Sequence, residues 1–230
     1  MENEWKSLLR AGGVALMLAG LGSIIVAPLA YFSSTSQADL SSSSTTPKGL
    51  VELHSQSPYF AGLWMTLAAY ELLSMVGFLA LYLALRKTSP AAALLAAVMS
   101  FVAFTIDLAG DISVRLSLIE MSTGYVNAVS DAQRAAYATS AELAMTTSGV
   151  AAFVMGVPYG LGLIMISYAM LKSEQFNKIT AYLGMAGGVL IWATIPLWGF
   201  PTAILAVGVA SAVPILLWSI LSGYKLYRLT

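Results

Sequence analysis

Residues 90–121 read PAAALLAAVMSFVAFTIDLAGDISVRLSLIEM. Ser89 can cap a helix here and Pro90 suits its first position. Three charges interrupt the apolar run at a spacing of four: Asp107, Asp111 and Arg115. Four residues are about one helical turn, so all three project from one face. A charge inside an apolar segment is costly unless it faces a bundle interior, a wet cavity or a partner. The rest of the chain is therefore expected to house that face. The fold expected is an all-α, polytopic integral membrane helix bundle.

Composition agrees with this. Of 230 residues, 58% are hydrophobic and only 10% charged, and the mean hydropathy is +0.80. A soluble domain carries roughly 25% charged residues. Eleven Lys and Arg balance eleven Asp and Glu, so nothing in the net charge points to nucleic acid. The partner expected is the lipid bilayer, with other membrane proteins or further copies of the chain as possible neighbours. With no Cys and a single His, His54, thiol chemistry, iron–sulfur ligation and multi-His metal sites are excluded within one chain. No cofactor is expected and no metal ligands are assigned.

Six spans are read within a single transmembrane domain over 1–230. They cover about 11–32, 59–85, 90–121, 131–171, 179–197 and 202–221. A bilayer core of about 30 Å needs roughly 20 helical residues. Between the first two spans lies a Ser-rich outer loop, 33–58, whose low complexity predicts mobility. Ser130-Asp131-Ala132-Gln133 has the spacing of a capping box. The fourth span, about 60 Å long as a straight helix, either protrudes into water or bends near Gly149, Gly156 and Pro158. Pro158 and Pro196 are the kink candidates. Gly156/Gly160 and Gly184/Gly188 have GxxxG spacing, which suits close packing within the bundle or a dimer seam.

Lys6, Arg10, Arg86, Lys87, Lys172, Lys178, Lys225 and Arg228 fall on one side of a six-span arrangement, and Lys48 and Arg134 on the other. The bias places both termini in the cytoplasm and the protein in the cell membrane. Counting from the inner turn, Glu71 lies about 21 Å up its helix and Asp107 about 25 Å up the next. Two carboxylates at one level in a low dielectric cannot both ionise easily, so a proton or a cation is shared between them. Glu71, Asp107 and Asp111 are accordingly the ion- or proton-binding candidates. The competing reading makes Glu71 and Asp107 satisfied neutral groups that fix helix register. Arg115, near 37 Å, and Glu142, near 43 Å, are candidates for a structural ion pair, while Asp111 and Arg115 have the i,i+4 spacing to pair with each other. His54, beside Glu52 in the outer loop, reads as solvated.

No nucleophile elbow, HExxH, P-loop or dinucleotide fingerprint occurs in a suitable context, and no enzyme activity is expected. The order of parts carries a resemblance. A Gly-rich first helix, AGGVALMLAGLGSI, leads to a polar outer loop and an aromatic-led second helix. Later, FNKITAYLGMAGGVLIWATIPL comes after a long fourth helix. The chain resembles a family of six-helix bacterial and archaeal membrane proteins grouped as a domain of unknown function. The resemblance implies six spans and assigns no activity or residues. Two functions are expected from the residues. One is translocation of a proton, cation or small solute through the acidic face. The other is an accessory or assembly subunit of a larger membrane complex.

Overall fold

The structure, a computed structural model, describes residues 5–22, 45–197 and 200–229. Residues 23–32 of the expected first span, 33–44 of the Ser-rich loop, and Trp198-Gly199 lie outside them. All regular structure among the described residues is helical: α1 (5–22), α2 (Pro47–Ser55), α3 (Ser57–Leu85), α4 (Pro90–Asp107), a π-helical turn (Leu108–Ile112), α5 (Ser113–Val126), α6 (Asp131–Leu171), α7 (Lys178–Ala193) and α8 (Pro201–Arg228). Among the described residues, four helices are long and apolar enough to cross a membrane: Ser57–Leu85, Pro90–Val126, Asp131–Leu171 and Thr202–Arg228. Such helices belong in a lipid bilayer.

Several boundaries differ from expectation, each for a local reason. Part of the expected outer loop is a helix. Thr46 accepts the Gly49 N–H at 3.2 Å and Pro47 opens the first turn, so α2 is capped from its start. Its Leu50 and Leu53, three residues apart, are both buried. Helix α5 runs five residues beyond Met121, to Val126, and ends on Asn127. The expected capping box opens α6: Ser130 Oγ accepts the Gln133 N–H at 3.3 Å, while Gln133 Oε1 reaches back to the N–H of Val129. Despite Pro158, α6 is continuous over 41 residues. Helix α7 ends at Ala193 rather than 197, because Pro196 restricts the residue before it. Pro196 therefore sits in the turn after α7 and kinks no helix. Pro214, by contrast, lies inside α8.

Contacts divide the chain into two units. The first comprises Met1–Ile25, Tyr70–Thr105 and Phe153–Thr230; the second comprises Val26–Ala69 and Ile106–Ala152. In the first, Leu16, Phe78, Leu81, Phe104, Leu163, Met170 and Trp218 form a buried core. In lipid the hydrophobic effect does not draw helices together, so backbone proximity and van der Waals contact must. The glycines supply that proximity. A Cβ on Gly13 of α1 would stand 2.7 Å from the Gly223 carbonyl oxygen of α8. One on Gly188 of α7 would stand 2.8 Å from the Gly160 carbonyl oxygen of α6. Gly160, Gly184 and Gly188 are thus used inside the unit, where other helices already occupy the space a side chain would need.

The second unit has its own core of Leu50, Leu53, Phe60, Trp64, Ile112, Leu118, Ala141 and Ala144. Phe60 and Trp64, one turn apart on α3, stack with centroids 6.2 Å apart. His54 is not a solvated loop residue: its Nδ1 lies 3.1 Å from Thr123 Oγ1 of α5. Thr123 gives its own hydroxyl proton to the Ile119 carbonyl, so Oγ1 accepts and His54 Nδ1 carries the hydrogen.

Candidate functional site

Glu71 lies within α3 and is 4% exposed. Tyr159 of α6 stands close enough to interact with its charge, and the Tyr159 hydroxyl is hydrogen-bonded to that of Tyr70. Phe104 backs the Tyr159 ring at 5.3 Å between centroids. The residue before Tyr159 is Pro158, which offers no N–H and leaves the Val154 carbonyl without its usual helical partner. One turn further on, the Val157 carbonyl accepts from Trp192 Nε1 of α7 at 3.0 Å. The Ser74 hydroxyl donates back to the Tyr70 carbonyl at 2.9 Å. The first unit thus gathers a buried carboxyl, two phenol hydroxyls and a proline-altered backbone around one stretch of α3 and α6. Neither tyrosine was picked out from the sequence. Their only signal was adjacency, Tyr70 to Glu71 and Tyr159 to Pro158.

Asp107 is the last residue of α4, 7% exposed, and belongs to the second unit. The π-helical turn begins at the next residue. The Ser113 N–H reaches the Leu108 carbonyl five residues back, and the Ser113 hydroxyl donates to the same oxygen at 2.6 Å. Such turns insert one residue into an α-helix and are frequent at functional sites. Gly110 lets this wider turn lie against α6, since a Cβ there would stand 2.5 Å from that of Ala151.

The π turn carries Asp111. Arg115 Nε donates to Asp111 Oδ1 at 2.6 Å, with 21% and 15% of the two side chains exposed. Ser148 of α6 donates to the same Oδ1. The Arg115 guanidinium carbon lies 4.9 Å from the Trp64 ring centroid, a cation–π contact with α3. One ionic centre therefore ties three helices of the second unit. The expected Arg115–Glu142 pair does not form. Arg115 is spent on Asp111 one turn earlier and on Trp64, while Glu142 lies on the exposed face of α6. The charge of Asp111 is matched by that of Arg115. Among the described residues, no three Asp, Glu or His side chains group to hold a metal ion.

The cations sort by unit. All eight expected on the inner side lie in the first, and Lys48, Arg115 and Arg134 lie in the second. Arg86 packs over Trp5, Lys172 over Tyr168 and Arg228 over Tyr224, at 4.9, 4.5 and 5.4 Å from the ring centroids. Aromatic–cation pairs of this kind suit the membrane interface.

The family model described as a domain of unknown function, DUF4386, matches residues 18–224. The chain belongs to this family. The DUF4386 region starts within α1 and ends within α8, so it contains Glu71, Asp107, the π turn, Arg115 and Tyr159. No curated protein and no solved structure matches the chain.

Proposed function

We propose that this DUF4386 protein passes a proton, a cation or a small solute across the cell membrane, with Glu71 and Asp107 as the groups that bind or relay it. The observation that carries this reading is the buried Glu71 carboxyl beside the hydrogen-bonded Tyr70–Tyr159 hydroxyls. A buried carboxyl must hold a proton or a counter-charge, and a phenol can donate and accept in turn. Asp107, in front of a π turn, supplies a second buried carboxyl on another helix. In this reading six helices span the membrane, both ends of the chain are cytoplasmic, and no substrate is chemically changed. The distribution of Lys and Arg supports the orientation.

The test is proton and cation flux into proteoliposomes under an imposed gradient. Glu71→Gln and Asp107→Asn are each expected to abolish flux while the protein stays folded, and Tyr159→Phe to reduce it. Normal flux in both carboxyl variants would sink the proposal. An accessory-subunit role is the second expectation from the sequence. It loses one support here, because three of the four GxxxG glycines, Gly160, Gly184 and Gly188, are packed inside the first unit.

A further inference from the structure

The ion pair on the π turn leaves half of each partner unused. Both of Asp111's hydrogen bonds go to Oδ1, from Arg115 Nε and Ser148 Oγ. Among the described residues, Asp111 Oδ2 and both Nη groups of Arg115 have no hydrogen-bond partner. None of these atoms is sealed in the interior; the buried atoms without partners are elsewhere, Trp64 Nε1 among them. A carboxylate oxygen and a guanidinium edge on one ion pair, its side chains 15% and 21% exposed, therefore lack partners. They are held in place by the Ser148 hydroxyl on Asp111 Oδ1 and by the Trp64 ring against Arg115.

The pair is neutral as a whole, so it offers no net attraction to a simple anion. It complements a ligand that carries both charges a few bonds apart. The guanidinium fork takes an oxoanion through two N–H groups, and the carboxylate takes an ammonium. In the six-span reading, on which the choice of ligand rests, straight-helix rise puts Arg115 about 37 Å beyond the inner turn at Pro90, past a hydrocarbon core of about 30 Å and at the outer headgroups. We infer that Asp111 and Arg115 form a binding site for a phosphate joined to a nearby primary ammonium, as in the phosphoethanolamine headgroup. The site is independent of any translocation by Glu71 and Asp107.

The experiment titrates the full-length protein in detergent micelles with three probes: dihexanoyl phosphatidylethanolamine, dihexanoyl phosphatidylglycerol and water-soluble O-phosphoethanolamine. Binding is read by calorimetry and by native mass spectrometry. The unchanged protein is expected to prefer phosphatidylethanolamine over phosphatidylglycerol about tenfold, the order of one lost charge-assisted contact. Asp111→Asn should erase that preference, and Arg115→Lys should weaken both lipids about tenfold. O-phosphoethanolamine binding as tightly as the lipid would keep the site and make its ligand a soluble molecule. Equal binding of the two lipids to the unchanged protein overturns the inference without recourse to any variant. So does a preference that survives Asp111→Asn, or an affinity untouched by Arg115→Lys in folded protein.

Discussion

Arg115 shows how one side chain's choice of partner sets the local energetics. Its bond to Asp111 is partly buried and shares an oxygen with Ser148, so losing the guanidinium strands a carboxylate and a hydroxyl together. Arg115→Gln is expected to cost about 1–3 kcal/mol of stability, whereas Glu142→Gln should change it by less than about 0.5 kcal/mol. Thermal unfolding of the two variants in one detergent separates these outcomes, and equal losses would restore Glu142 as the partner. The sequence made the acidic face legible, because spacing alone aligns Asp107, Asp111 and Arg115. It left the partner of Arg115 open: i,i+4 spacing and helix-depth arithmetic offered different acids. What it could not display was Ser148 or Trp64. A serine 37 positions away and a tryptophan on another helix carry no periodic signal toward Asp111. Tyr70 and Tyr159 were obscured for the same reason, since an aromatic in an apolar span reads equally as packing.

At the level of elements, the π turn and the glycine contacts make opposite demands. The turn holds one residue more than an α-helix would, and that residue sets the direction of Asp111. Deleting Ala109 should restore regular α-helix and leave the flanking segments in register, because the wide turn exists to absorb one extra residue. Thermal stability is then expected to fall far less than on deleting Ala97 from regular α4, where loss of one residue turns the helix by about 100°. The glycines test close approach. Gly188→Ala places a methyl 2.8 Å from the Gly160 carbonyl oxygen and should destabilise by about 1–3 kcal/mol. Gly62→Ala, in open space on α3, should stabilise by about 0.5–1 kcal/mol through helix propensity. Unfolding measured on both checks that crowding, and not the loss of glycine as such, is what matters. The long helices were readable, because unbroken apolar runs of this length have few alternatives. The ends were less so. Helix α2 was hidden by the serines before it, although Thr46-Pro47 and the Leu50/Leu53 pair announced it locally.

For the whole molecule, the distribution of cations is the property to test. The chain has no cysteine, so a single introduced cysteine reports its own side of the membrane without background. With the first unit's charged ends cytoplasmic, a cysteine at Lys87 should react with an impermeant maleimide only in inside-out vesicles. One at Asp131, which is fully exposed, should react only in right-side-out vesicles. Labelling of both positions from the same side would refute the orientation. Class was legible at this scale from composition alone, since a chain 10% charged cannot cover itself against water. The division into two contact units was not, because α3, α6 and the run from α4 to α5 pass from one unit to the other without a break in sequence character.

The early end of α7 bears on how the protein is made. Its 16 residues extend about 24 Å, short of a hydrocarbon core of about 30 Å. A nascent chain halted just past Leu197 would thus present the insertion machinery with a segment too short to settle across the bilayer alone. Helix α8, 28 residues long and beginning at Pro201, comes close behind and packs against it through Gly187 and Ile215. The two helices would then enter the membrane as a hairpin, and the commitment of α7 would wait until the ribosome has delivered α8.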